Sequence, residues 1–209
     1  MTHMAALKTG AAALALAAMA STASASTAFY GEWAIGLLGD SDPGLVVQVN
    51  PTSGEGGFNL NVGESTTFDL FAIWTNESAV NPDDLNAQQI SVDFTLTQPS
   101  SGNATATGST VGALSGFLGF DQGGELTWNN PTPLNFGSGN TGELLIELSE
   151  VDFNWGNWWG TSPGKKYGAQ VTATVTYAVA PIPLPAAGFL MLGALGGLGL
   201  VARRRKNAA

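Results

Sequence analysis

Ile90-Ser91-Val92-Asp93-Phe94-Thr95-Leu96-Thr97 alternates apolar and polar residues without a break. An extended chain sends successive side chains to opposite faces, so this stretch has one greasy face and one wet face and predicts a half-buried β-strand. Ala169, Val171, Ala173, Val175 and Tyr177 repeat the pattern against Gln170, Thr172, Thr174 and Thr176. Thr66 to Thr75 alternates less cleanly. Phe68, Leu70, Ala72 and Trp74 fall on one side and Phe71 and Ile73 on the other, which predicts a central strand covered on both faces.

Weaker period-two segments predict further strands over Phe29–Ile35, Leu45–Val49, Phe58–Val62, Thr105–Val111, Leu126–Trp128, Leu144–Leu148 and Val151–Trp155. Turn-forming clusters separate them, among them Asp42-Pro43-Gly44, Glu55-Gly56-Gly57, Asn81-Pro82-Asp83-Asp84 and Gln122-Gly123-Gly124. About eight to ten short strands with no long helical period predict an all-β fold, an antiparallel two-sheet sandwich, with a jelly roll as the rival. Asn81–Ala87 is compatible with a single helical turn, and Leu144–Leu148 with a short helix in place of a strand. Asn61-Val62-Gly63-Glu64-Ser65, opening a long strand, resembles the corresponding segment of cohesin-like and immunoglobulin-like exported modules.

The two ends of the chain differ from its middle. Lys8 precedes an apolar run, Ala11 to Ala20, and Ala23-Ser24-Ala25 has the small-x-small pattern that signal peptidase reads, so residues 1–25 are expected to be a signal peptide. At the other end, residues 178–185 read as a proline-rich stalk. Residues 183–202 are uncharged, and Arg203-Arg204-Arg205-Lys206 follows at once. At about 1.5 Å per residue such a helix just spans a hydrocarbon layer roughly 30 Å thick. The basic stop at 203–206 sets the cytoplasmic side.

The tail resembles the PEP-CTERM class of sorting signals, in the variant named for Val-Pro-Leu-Pro-Ala. Pro183-Leu184-Pro185-Ala186-Ala187-Gly188 carries the motif, with Ile182 where valine is usual. The resemblance implies that an exosortase removes the helix of the 183–206 sorting tail. The protein is then released or attached to surface exopolysaccharide in a Gram-negative bacterium. A plain C-terminal membrane anchor is the other reading of the same physics.

Residues 26–177 are left as one ectodomain. All sixteen carboxylates lie between Glu32 and Asp152, against two lysines, Lys165 and Lys166, for a formal charge of −14 over residues 26–185. That balance repels phosphate backbones and excludes nucleic acid as a partner. Cysteine is absent, so stability must come from a core, which about 150 residues suffice to build. The only histidine, His3, falls in the signal peptide. The mature chain thus lacks the residues for a Ser-His-Asp or Cys-His triad. Carboxylate chemistry, such as a glycoside hydrolase pair, stays open, but no spacing selects a pair. The expected protein is therefore not an enzyme and needs no cofactor, calcium being the one ion considered.

Three stretches are candidates for chemistry. Gly137-Ser138-Gly139-Asn140-Thr141-Gly142 matches a dinucleotide-binding string but lacks the strand-to-helix context and reads as a turn. Asp40 with Asp42, and Asp83 with Asp84, place oxygen ligands together on loops, as weak calcium sites or as ordinary turn formers. Asn154-Trp155-Gly156-Asn157-Trp158-Trp159-Gly160 concentrates indoles between glycines and asparagines. Trp155, Asn157, Trp158 and Trp159 are either a glycan-binding loop or the cap of a sandwich core.

These readings make an exported, non-enzymatic surface or matrix protein. Signal peptidase and exosortase are its processing enzymes, the inner membrane its station before cleavage, and exopolysaccharide its expected neighbour. A carbohydrate-binding module and an extracellular glycoside hydrolase are the alternatives.

Overall fold

The structure is a computed structural model that describes residues 26–38, 41, 43–156 and 159–179. They form eleven strands: β1 Thr27–Leu37, β2 Val47–Asn50, β3 Ser53–Leu60, β4 Ser65–Thr75, β5 Gln88–Gln98, β6 Gly102–Ser115, β7 Asp121–Trp128, β8 Thr132–Phe136, β9 Gly142–Leu148, β10 Val151–Gly156 and β11 Ala169–Val179. One sheet runs β10-β7-β6-β5-β1-β3 and the other β2-β4-β11-β9-β8, with every ladder antiparallel. The described residues are all-β, two antiparallel sheets closing on one core.

β5 follows its alternation except at Ser91, a member of the polar set that is buried. Ile90, Val92, Phe94 and Leu96 are buried while Asp93, Thr95 and Thr97 face solvent. On β11, Val171, Ala173, Val175 and Tyr177 enter the same core. Outward, Thr174 and Thr176 hydrogen-bond the hydroxyls of Thr67 and Ser65 on β4, both at 2.8 Å. Such hydroxyl pairs are among the cross-strand contacts that stabilise a sheet. Every core residue in the described chain lies between Phe29 and Tyr177, and all the strands pair among themselves. The segment 26–179 thus carries a complete core of its own.

β4 differs from expectation. It is not a strand with two equal faces. Val171 pairs with Phe71 and Thr172 with Asp69, so Leu70 is an extra residue, a β-bulge that shifts the alternation by one. Leu70 and Phe71 are consecutive and both buried, and the inward set continues at Ile73 and Thr75. A single inner face that changes phase looks like two faces in one dimension.

Other expectations meet mixed outcomes, and Glu55-Gly56-Gly57 and Gln122-Gly123-Gly124, expected as turns, lie inside β3 and β7. β8 was not predicted, because Pro131 and Pro133 break its pattern; proline is tolerated there since β8 is an edge strand. Leu144–Leu148 is the strand expected and not the short helix that was its alternative, with Leu144, Ile146 and Leu148 inward. Asn81–Ala87 forms turns without a helix. The eleven strands exceed the eight to ten expected, and β11 runs to Val179, taking Ala178 and Val179 from the predicted stalk.

The register defines two poles. Phe29, near the start of β1, meets Tyr177, near the end of β11, with ring centroids 5.0 Å apart and planes at 80°. Both ends of the described domain therefore sit at one pole. The end of β4 and the start of β11 lie at the other, Ile73 pairing with Ala169. The loops 76–87, 116–120 and 159–168 gather at this distal pole: Gly112 N–H reaches the carbonyl of Asp84, Thr161 N–H that of Ser78, and Trp159 N–H that of Phe120.

Candidate functional site

β10 delivers the tryptophan loop to the distal pole, and a second bulge aims it. Phe153 pairs with Gly124 and Gly156 with Gln122, leaving Asn154 and Trp155 opposite the one residue Gly123. Asn154 takes a left-handed backbone, φ 56°, which asparagine tolerates better than most residues. Its fully buried side chain pins the loop. Oδ1 accepts the N–H of Thr75 at 2.9 Å, and Nδ2 donates to the carbonyls of Ser162 and, at 3.0 Å, Gly164.

The bulge separates neighbouring side chains. Phe153 enters the core over Gly124. Trp155 lies on the opposite, outer face of the sheet, across Gly123, where a Cβ would come within 2.6 Å of the indole. Its Nε1 is buried and has no acceptor. Trp155 borders a shallow depression with Ser115, Asp121, Asp152 and Gly156.

Trp159 is the exposed member of the group, at 68 %. Its ring meets Phe120 at 4.2 Å, edge to face, and the two rings continue into Phe117, 6.2 Å from Phe120. The 116–120 turn is built to show side chains. Gly116 and Gly119 have φ of 75° and 73°, Leu118 is left-handed at 58°, and Phe117 and Leu118 are 79 % and 76 % exposed. With Leu114, they make an apolar patch beside the acidic depression. The basic residues of this pole, Lys165 and Lys166, sit over the rings of Trp74 and Tyr167 at 5.5 and 5.3 Å. Exposed aromatic rings beside carboxylates are what a pyranose ring meets well, its C–H face on a ring and its hydroxyls donating to oxygen.

The predicted indole group is thus divided: Trp155 is half-buried against the sheet and Trp159 is exposed, while Asn157 and Trp158 lie outside the described residues. The sequence reading missed Phe117, Leu118 and Phe120. The signal was present in Gly116-Phe117-Leu118-Gly119-Phe120, apolar residues between glycines with no period-two partner.

The acidic pairs have other fates. Asp84 is buried, its Oδ2 accepts the N–H of Asn81 at 2.6 Å, and its carbonyl accepts Gly112 N–H. This is a turn-closing role, and Asp83 contributes its own carbonyl to Asn86 at 2.9 Å. Among the described residues no group of three or more His, Cys, Asp or Glu is placed to hold a metal. Asp40 and Asp42 lie outside them. Of Gly137–Gly142, residues 137–141 are the turn between β8 and β9, with Gly139 and Asn140 left-handed at 73° and 55°, and Gly142 opens β9.

Ala23 and Ala25, the sorting motif Pro183 to Gly188 and the stop Arg203 to Lys206 also lie outside the described residues. Among those described, no helix is long and apolar enough to cross a membrane. Compared with protein-family models, with curated proteins and with solved structures, the chain has no match in any of the three.

Proposed function

We propose that this is an exported, non-enzymatic surface or matrix protein. A signal peptide sends it out, its Val-Pro-Leu-Pro-Ala-like tail is cut by exosortase, and its β-sandwich remains with exopolysaccharide. The observation that carries this reading is the polarity of the domain. Phe29 and Tyr177 bring both ends of the described domain to one pole, and the exposed aromatics Phe117 and Trp159 occupy the other. A tether at the first pole leaves the second facing outward. The sandwich is of the cohesin-like or immunoglobulin-like exported kind, supported by the Asn61–Ser65 turn, in which the carboxylate of Glu64 accepts Asn61 N–H at 2.8 Å.

Intact mass of the protein recovered from medium, envelope and matrix of its native host tests the sorting step. A species ending near Pro185 supports it. A species ending at Ala209 and held in the inner membrane replaces it with a plain anchor.

A second reading, a carbohydrate-binding module, is favoured by the Phe117-Phe120-Trp159 rings beside Asp121 and Asp152. Here the distal pole is what holds the matrix.

A further inference from the structure

From the interior we infer that the sandwich binds an uncharged lipid-like molecule, an apolar chain with a neutral polar head, in a cavity between its two sheets. This stands apart from the surface reading, since it uses the core and not the distal pole.

The cavity has a volume of about 430 Å³ and is walled by Phe94 and Leu96 from one sheet and by Leu70, Leu134, Ile146 and Val175 from the other. Close-packed interiors leave few voids larger than a water, and water occupies a void only where polar partners receive it. These walls offer almost none. An apolar cavity of about 150 Å³ already takes a benzene-sized molecule, so there is room here for a larger one.

Two glycines cause the void. Gly31 on β1 and Gly56 on β3 are directly paired, between the inward pairs Phe29–Phe58 and Trp33–Gly54, so both are on the inner face. Where the ladder would send two side chains into the core, it sends none. At Gly31 a Cβ would strike the carbonyl of Thr95 at 2.7 Å, whereas at Gly56 a Cβ meets nothing within 4 Å. Gly56 is also absent from the positive-φ glycines, so its backbone admits an ordinary side chain. Gly56 is itself exposed on the edge strand β3, so the bare space beside it is the open mouth of the cavity. Packing bears this out along the core. Phe71, Ile73, Ile90, Val92 and Val171, toward the distal pole, are wholly buried at 0 %, while the cavity walls Phe94 and Leu96 keep 6 % and 4 % exposure.

Thr66 is the polar side chain on the inner face of the lining, while Glu32, Glu55, Asp69 and Thr95 belong to the outward sets of their strands and flank the cavity from outside, with no basic residue among them. A fatty-acid anion would find no cation there and is repelled by the flanking carboxylates, whereas the Thr66 hydroxyl can bond a hydroxyl or amide head. An alcohol or acyl amide fits walls and rim together.

The test uses the segment 26–179, whose core is complete. It is titrated with Nile red, an uncharged dye that brightens in apolar surroundings, then with 1-dodecanol and dodecanoate at neutral pH. Dodecanol is expected to displace the dye and to raise the melting temperature, as any ligand of the native state must. Dodecanoate is expected to bind about ten-fold more weakly. Gly56→Leu fills the void from β3 and is expected to melt no lower than the parent while losing at least about ten-fold in dye and dodecanol affinity. Val175→Phe, entering from the facing sheet, gives the same loss and serves if Gly56→Leu does not fold. A parent domain that binds neither dye nor dodecanol, or a folded Gly56→Leu that binds both as the parent does, overturns the proposal. Equal binding of dodecanoate overturns the uncharged head.

Discussion

Thr75 donates its backbone N–H to Oδ1 of Asn154 across 79 positions of sequence, at 2.9 Å, where both residues are fully buried. The bond ties the end of β4 to the bulge of β10, and the same amide's Nδ2 holds the returning loop at Ser162 and Gly164. A loop of indoles, glycines and asparagines would otherwise have little to order it. Here one side chain anchors the returning segment at Ser162 and Gly164 from within the core.

Asn154→Ala removes all three contacts and strands Thr75 N–H in the core, which costs about 2–4 kcal/mol. Asn154→Gly loses the same bonds but accepts the left-handed φ of 56°, so it should be milder than alanine by about 1 kcal/mol. Urea unfolding of the three proteins gives both differences. Equal stability of Gly and Ala variants would remove the backbone contribution.

Gly124→Ala should destabilise by about 1–3 kcal/mol through overpacking. Its Cβ would come within 2.3 Å of the Phe153 ring and 2.9 Å of Leu45 in a part of the core with no slack. Gly56→Ala, facing open space, should be neutral or stabilising. Paired thermal melts compare two glycine-to-alanine changes in one sheet with opposite expected signs.

Trp159→Ala and Phe117→Ser should each leave stability within about 0.5 kcal/mol, since both side chains are largely exposed. Together they should cut retention on the host's exopolysaccharide, measured by co-sedimentation, by about ten-fold or more if this pole holds the matrix. Unchanged retention by the folded double variant would end the carbohydrate-binding reading.

Glu64 should titrate below the ordinary glutamate range, chiefly because its carboxylate accepts the backbone N–H of Asn61 and, second, the Asn61 side-chain amide at 3.0 Å. A folded pKa lower than the unfolded one stabilises the turn above the unfolded value, and the contribution is lost as pH falls through the folded value. Asn61→Ala removes only the side-chain donor, so the midpoint followed by carboxyl NMR should rise part of the way and stop short of the unperturbed value. A full return would mean that the backbone bond contributes nothing.

Tyr30 shifts the other way. Its hydroxyl bonds Glu55, and that bond, then partial burial, then the negative charges of Glu55 and Glu32 hold its pKa above the ordinary tyrosine value. The associated stability is present below the unfolded pKa and is lost as pH rises through the folded one. Glu55→Gln should lower the phenol midpoint in an absorbance titration.

The alternation in Ile90–Thr97 and Ala169–Tyr177 was enough to determine these two strands and their inward residues, because a strand's two faces are written residue by residue. Lack of cysteine and of any histidine beyond His3, the acidic balance and the character of both ends are likewise properties of composition. Only the tertiary structure decided the rest. The bulges at Leu70 and at Asn154–Trp155 depend on what the neighbouring strand offers, so a one-dimensional pattern reads the first as two faces and does not see the second. Phe117 and Trp159 lie 42 positions apart and come together through Phe120 because two loops end at one pole. The cavity at Gly31 and Gly56 follows from register: each glycine alone is a common strand residue, and the pair leaves a void because the ladder sets them side by side on the inner face.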